Sequence, residues 1–114
     1  MNILELDNEL NRMIVEGKSV EAFERFYAED VVAQENDDAE RHGRAQWMQA
    51  RGEMEKAMKK FNARVLANAA NGDVSFSEWE FDMDIEGMGA MKMVQVAVRR
   101  WKDGKIVRER FYHK

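Results

Sequence analysis

Residues 74–85 read VSFSEWEFDMDI, and from Glu78 onward acidic and apolar side chains alternate with a period of two. The apolar set is Trp79, Phe81, Met83 and Ile85, and the acidic set is Glu78, Glu80, Asp82 and Asp84. Successive side chains of a strand point to opposite faces, so this segment has one apolar face and one charged face. The pattern predicts a strand of an antiparallel sheet that covers a core on one side and meets water on the other.

The next segment, residues 90–102 (AMKMVQVAVRRWK), differs because both of its faces carry apolar side chains. One face holds Met91, Met93, Gln95, Ala97 and Trp101, and the other holds Val94, Val96 and Val98. A strand that is apolar on both faces is covered on both sides. One cover is the domain core, and we expect the other to be a second copy of the chain. The segment therefore predicts a homodimer through Val94, Val96 and Val98.

Three dipeptides divide the second half of the chain, namely Asn71-Gly72, Glu86-Gly87 and Asp103-Gly104. Glycine, and to a lesser degree asparagine or aspartate, tolerates the positive φ angles that tight hairpin turns need. Together with the period of two, these turns predict four strands after Phe61 that pair as consecutive hairpins.

The first 60 residues show apolar side chains three or four positions apart instead. This spacing predicts helices over residues 2–16 and 19–28, joined at Gly17 into a hairpin, and a third helix over residues 43–60. The prediction of the third helix depends on an apolar stripe that consists of Trp47, Ala50, Met54, Ala57, Met58 and Phe61. A short strand is predicted over residues 30–36, so the order is helix, helix, strand, helix and four strands.

The composition limits the class of protein. Of the 114 residues, 45% are apolar and 35% charged, with a net charge of −4, which predicts one globular domain over residues 1–114. The acidic balance argues against a nucleic-acid partner, and no apolar run approaches the roughly 18 residues of a membrane span. The absence of cysteine excludes a disulfide or a thiolate site. With acidic residues near its start and no cationic leader, the chain is expected to be cytoplasmic.

Three stretches carry a family resemblance: residues 15–36 (VEGKSVEAFERFYAEDVVAQEN), residues 42–44 (HGR) and residues 94–114 (VQVAVRRWKDGKIVRERFYHK). They resemble the SnoaL-like branch of the nuclear transport factor 2-like superfamily. The resemblance implies the α+β class and a conical cystatin-like or nuclear transport factor 2-like fold, with three N-terminal helices packed on a curved, mainly antiparallel sheet. It also implies a pocket between helices and sheet, and members are commonly dimers. The superfamily includes polyketide cyclases, ketosteroid isomerase, dehydratases and members that only bind or dimerise, so fold leaves activity open.

On this fold, side-chain parity selects the residues that face the pocket. In the first strand, Glu35 ends an otherwise apolar inward row. In the last strand, the less polar face consists of Val107, Glu109, Phe111 and His113. The predicted ligand contacts are Trp79, Phe81, Met93, Gln95, Glu109 and Phe111. An apolar cavity with a few converging polar groups is typical of a small-molecule site. We expect a small apolar ligand and neither a metal nor a cofactor.

Glu35 and His113 are the predicted catalytic pair. Apolar surroundings disfavour a charged carboxylate and make it a stronger base. A hand alignment from the AED of residues 28–30 also places Glu35 where ketosteroid isomerase-like members carry their general base. His113 ionises near neutrality and is able to donate or relay the proton. Two other interpretations stay open: Glu35 forms a salt bridge to Arg41 or Arg44 at the strand end, and Glu109 pairs with an arginine.

The chain also departs from ketosteroid isomerase. The position of that enzyme's tyrosine donor is Leu10 here, and the position of its protonated acid is Ala97. Without these donors the chain has no oxyanion hole of that type, so steroid isomerisation is not expected. Two functions remain: a cofactor-free cyclase, isomerase or dehydratase, in which Glu35 removes a proton next to a carbonyl, or a non-catalytic ligand-binding or dimerisation module.

Overall fold

The computed structural model describes residues 2–114 as three helices and one six-stranded sheet. The helices are α1 (Ile3–Val15), α2 (Ser19–Phe26) and α3 (Arg44–Ala57). The strands are β1 (Tyr27–Glu35), β2 (Arg41–His42), β3 (Met58–Asn71), β4 (Val74–Ile85), β5 (Gly89–Lys102) and β6 (Lys105–Tyr112). The strand order is β2-β1-β6-β5-β4-β3, antiparallel throughout except for the parallel pair β1 and β6. The prediction of an α+β fold with a mainly antiparallel sheet is therefore confirmed.

The first two helices form the predicted hairpin. The Asn2 side chain accepts a hydrogen bond of 3.1 Å from the Glu5 N–H and satisfies one of the free donors at the start of α1. The chain reverses at Gly17, whose φ of 79° is a left-handed conformation that favours glycine. Helix α2 ends at Phe26, two residues earlier than predicted, because Tyr27 already pairs with Ile106 as the first residue of β1.

The third helix also ends earlier than the sequence predicts. Its stripe is continued by Met58 and Phe61, yet α3 stops at Ala57 and both residues belong to β3. Met58 pairs with Ile85 and Phe61 with Met83 on β4. Helical spacing is a local signal, and here it is overridden by a partner strand that is distant in sequence. The prediction of a helix up to Lys60 was wrong for this reason.

Apart from the earlier start of β3 at Met58, the four long strands and their connection by hairpin turns are as predicted. Between β5 and β6, Asp103 and Gly104 have φ angles of 52° and 79°, the pair of positive values that defines a two-residue type I′ hairpin. Strand β4 buries Trp79, Phe81 and Met83 and leaves the acidic residues between them more exposed. We call the face of the sheet that carries these three side chains the inner face.

One detail of β6 differs from the predicted parity. The register with β5 shifts between Arg100, which pairs with Arg108, and Trp101, which pairs with Ile106. This leaves Val107 as the extra residue of a bulge. Ile106 is therefore fully buried, while Val107 is only partly buried. Beyond the bulge the predicted parity holds.

The core lies between the helices and the inner face. Its most deeply buried apolar residues are Leu10, Ala22, Phe26, Tyr27, Val31, Ala33, Trp79, Ala97 and Ile106, each at most 1% exposed. They come from α1, α2 and four different strands, so the core is built only when the sheet and helices come together. None of the helices among residues 2–114 has the length and the apolar character that crossing a membrane requires.

Candidate functional site

The structure brings Glu35 and His113 together. Glu35 is the last residue of β1 and lies opposite Phe111 on the parallel strand β6, two residues before His113. The Oε2 atom of Glu35 is 2.7 Å from the Nε2 atom of His113. The backbone N–H of His113 donates to the side-chain oxygen of Asn36 at 3.0 Å, which holds the end of the chain against the tip of β1. The two side chains remain 28% and 21% exposed, so the pair is accessible to solvent.

Both ring nitrogens of His113 have an acceptor. Nδ1 lies 3.0 Å from the carbonyl oxygen of Lys114, and Nε2 faces Glu35. The hydrogen bond to the Lys114 carbonyl raises the pKa of His113 most, partial burial opposes it, and the Glu35 carboxylate raises it further. Because only the imidazolium donates at both nitrogens, the contacts favour the protonated form. The site therefore joins a proton donor to a carboxylate.

The arginines that were alternative partners of Glu35 make other contacts. Arg44 donates to the backbone oxygens of Glu24 and Tyr27, at 3.3 and 3.2 Å. The guanidinium of Arg41 lies over the ring of Trp47, 5.5 Å from its centroid. Glu35 makes its recorded salt bridge with His113 instead, and its second oxygen, Oε1, has no hydrogen-bond partner among residues 2–114.

Several predicted ligand contacts are packed against one another. Trp79 is 1% exposed and stacks on Phe81 with ring centroids 5.5 Å apart and an interplanar angle of 9°. Phe81 stacks in turn on Phe61 at 5.6 Å. The ring centroids of Phe111 and Trp47 are 5.6 Å apart, and Trp47 is only 5% exposed. These aromatic side chains form part of the core.

The two other predicted contacts lie along β5 on the inner face. Gln95 pairs with Trp79 and is 8% exposed, and Met93 pairs with Phe81 and is partly buried. Both residues lie beyond the end of β6, since the last recorded β5–β6 pair is Val96 with Tyr112.

Glu109 lies deeper than a ligand contact. Its side chain is fully buried, accepts a hydrogen bond of 2.6 Å from the Tyr27 hydroxyl, and lies 2.7 Å from Nε of Arg99. Burial raises the pKa of Tyr27 well above 10.0, and the Glu109 carboxylate raises it further. Glu109 thus has the arginine partner that the second interpretation proposed.

Arg99 also binds Asp7, and this buried network was missed by sequence reasoning. Its Nη1 lies 2.7 Å from Oδ1 of Asp7, and the two side chains are 2% and 0% exposed. Ser75 and Ser77 donate to the same carboxylate at 2.7 and 2.6 Å. Burial alone would raise the pKa of Asp7, but the charge of Arg99 and these hydroxyls outweigh burial and lower it below 3.8.

A signal for this network was present in the sequence. Arg99 has the same parity on β5 as Ala97 and Trp101, so it faces inward, and Asp7 is one turn before Asn11 on the buried side of α1. Parity alone separates Arg99, which is 1% exposed, from its exposed neighbour Arg100.

Two cavities lie away from the Glu35–His113 pair. The first has a volume of about 250 Å³ and lies between the end of α1, the second half of α3 and the start of β3, with Ile14, Arg51 and Phe61 in its wall. The second, of about 420 Å³, is a groove beside the β4–β5 turn lined by Asp82, Asp84 and Lys92 among others. Neither Glu35 nor His113 lines either cavity.

Solved structures share this fold at low sequence identity. A candidate SnoaL-like polyketide cyclase from Mesorhizobium loti is 24% identical, with 98% of this chain and 99% of that chain covered and a TM-score of 0.85. A protein of unknown function with a cystatin-like fold from Xanthomonas campestris is 23% identical, with coverage of 99% and 91% and a TM-score of 0.87. An M. tuberculosis LEH-like epoxide hydrolase is 14% identical, with coverage of 98% and 82% and a TM-score of 0.80. These likenesses confirm the predicted cystatin-like, nuclear transport factor 2-like fold.

The chain matches one protein family over most of its length. No curated protein matches the sequence. The family model described as the SnoaL-like domain matches residues 9–109, from the middle of α1 to Glu109 of β6. The chain therefore belongs to the SnoaL-like domain family, as the resemblance in its sequence predicted.

Proposed function

We propose that the protein acts on a small molecule by proton transfer at the Glu35–His113 pair, as a cofactor-free cyclase, isomerase or dehydratase. The observation that carries this proposal is the contact of 2.7 Å between Glu35 Oε2 and His113 Nε2, in a pair that remains partly exposed. A carboxylate and an imidazolium in contact supply a general base and a general acid in one place. The family to which the fold belongs includes cyclases and isomerases.

The roles of the two side chains follow from their hydrogen bonds. Glu35 Oε1, which is free of partners among residues 2–114, removes a proton from a carbon next to a carbonyl group. The Nε2–H of His113 gives up its contact with Oε2 of Glu35 and donates its proton to the carbonyl oxygen as negative charge develops there. The side chains of Leu10 and Ala97 have no hydrogen-bond donor, so His113 takes that role.

The proposal predicts proton exchange at carbons next to a ketone. In D₂O, the wild-type protein is expected to accelerate deuterium incorporation into acetone, cyclohexanone or 2-decalone, measured by loss of the NMR signals of those protons. Glu35→Gln is expected to lower the accelerated rate by about 100-fold or more, because removing a general base forfeits an effect of that size. His113→Gln removes the acid and is expected to lower the rate as well, while the carboxylate still accepts the proton.

Glu40→Gln is the matched control for this experiment. Glu40 is an exposed carboxylate whose partners are His42 and Arg108, and it makes no contact with the Glu35–His113 ion pair. Its substitution is expected to leave the exchange rate unchanged. The proposal fails if Glu35→Gln exchanges as fast as the wild type, or if the wild type accelerates none of the three ketones.

A second candidate function, a dimerisation module, is favoured by the outer face of the sheet, which lies opposite the inner face. Phe76, Val94 and Tyr112 on this face are 40%, 50% and 44% exposed. Apolar side chains of three strands are neighbours on this face, since Phe76 of β4 pairs with Val98 of β5, and Tyr112 of β6 pairs with Val96 of β5. A contiguous exposed apolar area of this kind is typical of a protein interface. This candidate is compatible with catalysis, because Glu35 lies on the other face.

The dimer is tested by adding a charge to the outer face. Wild-type protein is expected to sediment as a dimer at micromolar concentration, and Val94→Asp is expected to shift it to the monomer, because burying an unpaired carboxylate opposes association. Val20→Asp adds the same charge at an exposed position of α2, where Val20 is 56% exposed, and is expected to leave the dimer intact. A stable wild-type monomer at these concentrations would exclude this second candidate.

A further inference from the structure

Arg51 lies in the wall of the smaller cavity with an unsatisfied donor. It is located on α3, one turn after Trp47, and its side chain is 21% exposed. Its Nε atom is buried and has no hydrogen-bond partner among residues 2–114. The same Nε atom lies 3.4 Å from Oε1 of Glu55, in an ion pair that lacks hydrogen-bond geometry, and the Glu55 side chain is 44% exposed. A buried N–H without a partner costs free energy, so a ligand that accepts from it gains binding energy.

The charges around the cavity favour an anion. Three cationic side chains, Arg51, Lys59 and Lys60, line it together with one carboxylate, Glu55. Three positive charges and one negative charge leave a local charge of +2, although the whole chain carries −4. A local excess of one sign in a cleft raises the local concentration of ligands of the opposite sign.

The rest of the wall is apolar. Ile14, Met58 and Phe61 line the cavity, and the guanidinium of Arg51 lies over the ring of Phe61, 5.7 Å from its centroid. The volume of about 250 Å³ is smaller than the roughly 300–1,000 Å³ of most ligand sites, so only a small ligand fits. The cavity thus combines a cationic group with a small apolar space.

We propose that this cavity binds a small monocarboxylate. The carboxylate accepts hydrogen bonds from the Arg51 guanidinium, whose planar set of donors matches two carboxylate oxygens. The short apolar chain lies against Ile14, Met58 and Phe61. Glu35 and His113 line no part of this cavity, so the proposal is independent of the proton-transfer site.

Hexanoate and hexan-1-ol are the probes that test this proposal, since they share a chain length and differ in charge. Titration of each probe is followed by NMR at the Ile14 and Met58 methyl groups and by calorimetry. Hexanoate is expected to bind at least about 10-fold more tightly than hexan-1-ol, because only the carboxylate accepts charge-assisted hydrogen bonds from the guanidinium. Inorganic phosphate, which has no apolar chain, is expected to bind more weakly than hexanoate.

Arg51→Gln is expected to weaken hexanoate binding by about 10-fold or more for the same reason. Lys102→Gln also removes one positive charge. Lys102 is the last residue of β5 and does not line the cavity, so binding is expected to be unchanged. Glu55→Gln removes the competing carboxylate beside Arg51 and is expected to strengthen binding. This last variant provides the test if Arg51→Gln does not fold.

The proposal is overturned if hexan-1-ol binds as tightly as hexanoate, or if Arg51→Gln and Lys102→Gln weaken binding equally. It is also overturned if Glu55→Gln binds hexanoate no better than the wild type. Glu35→Gln and His113→Gln are expected to retain hexanoate binding. The proposal for the cavity and the proposal for the proton-transfer site are therefore tested independently of each other.

Discussion

Arg99→Met is expected to lower the free energy of unfolding by about 3–5 kcal/mol, because it leaves two buried carboxylates without their cation. Asp7 and Glu109 are each 2.7 Å from the Arg99 guanidinium, and both side chains are fully buried. An unpaired charge in such a position has lost its hydration without compensation. Since a domain of this kind has a total stability of roughly 5–15 kcal/mol, the variant is expected to be close to unfolding.

The measurement is urea unfolding followed by tryptophan fluorescence, compared with a control at the next residue. Arg100→Met removes the same charge from the exposed face of β5 and is expected to change stability by less than about 0.5 kcal/mol. The double variant Arg99→Met/Glu109→Gln is expected to be more stable than Arg99→Met alone, since a neutral amide is less costly to bury than a carboxylate. A loss of less than about 1 kcal/mol in Arg99→Met would show that water reaches the network.

Trp79→Ala is the second large expected effect, a loss of about 3–5 kcal/mol, because a fully buried tryptophan leaves a cavity when it is truncated. The residue is 1% exposed, and it stacks on Phe81, which stacks on Phe61. Stacked pairs add about 0.5–1.5 kcal/mol to the burial of their area. The loss is measured by the same urea unfolding, followed here by circular dichroism because a fluorescent residue is removed.

Phe76→Ala is the control on the same strand. Phe76 points to the outer face and is 40% exposed, so its truncation is expected to cost less than about 1 kcal/mol in the monomer. If Trp79→Ala costs as little as Phe76→Ala, the row of Phe61, Phe81 and Trp79 lines an open pocket and is not part of the core. The experiment thus separates the ligand contacts predicted from parity from the packed interior that the structure contains.

The strand pattern of the second half of the chain was predictable because it is a local property. Alternation in residues 74–85 and the turn at Asp103-Gly104 each depend on neighbours within a few positions, and both are as expected. The end of α3 was not predictable in this way. Met58 and Phe61 fit a helical stripe, and only the pairing with Ile85 and Met83 makes them part of a strand.

The candidate site was predictable only in part. Parity placed Glu35 and His113 on the inner face, but the contact between them joins residues 78 positions apart and depends on the parallel pairing of β1 with β6. The roles of Arg99 and Asp7 were not predicted, because their partnership spans 92 positions and links a strand to a helix. A charged residue in an apolar row of a strand indicates a buried charge, but the pattern does not identify the residue that pairs with it.

The amino-acid sequence by itself determined the class of fold, the family and the order of all elements except β2, because periodicity, turn residues and family motifs are local features of the chain. The tertiary structure alone decided which polar groups meet: Glu35 with His113, Arg99 with Asp7 and Glu109, and Arg51 with a cavity. The physical reason is that secondary structure depends on neighbours within a few residues. A buried charge depends instead on partners that strand register and helix packing bring from the other end of the chain.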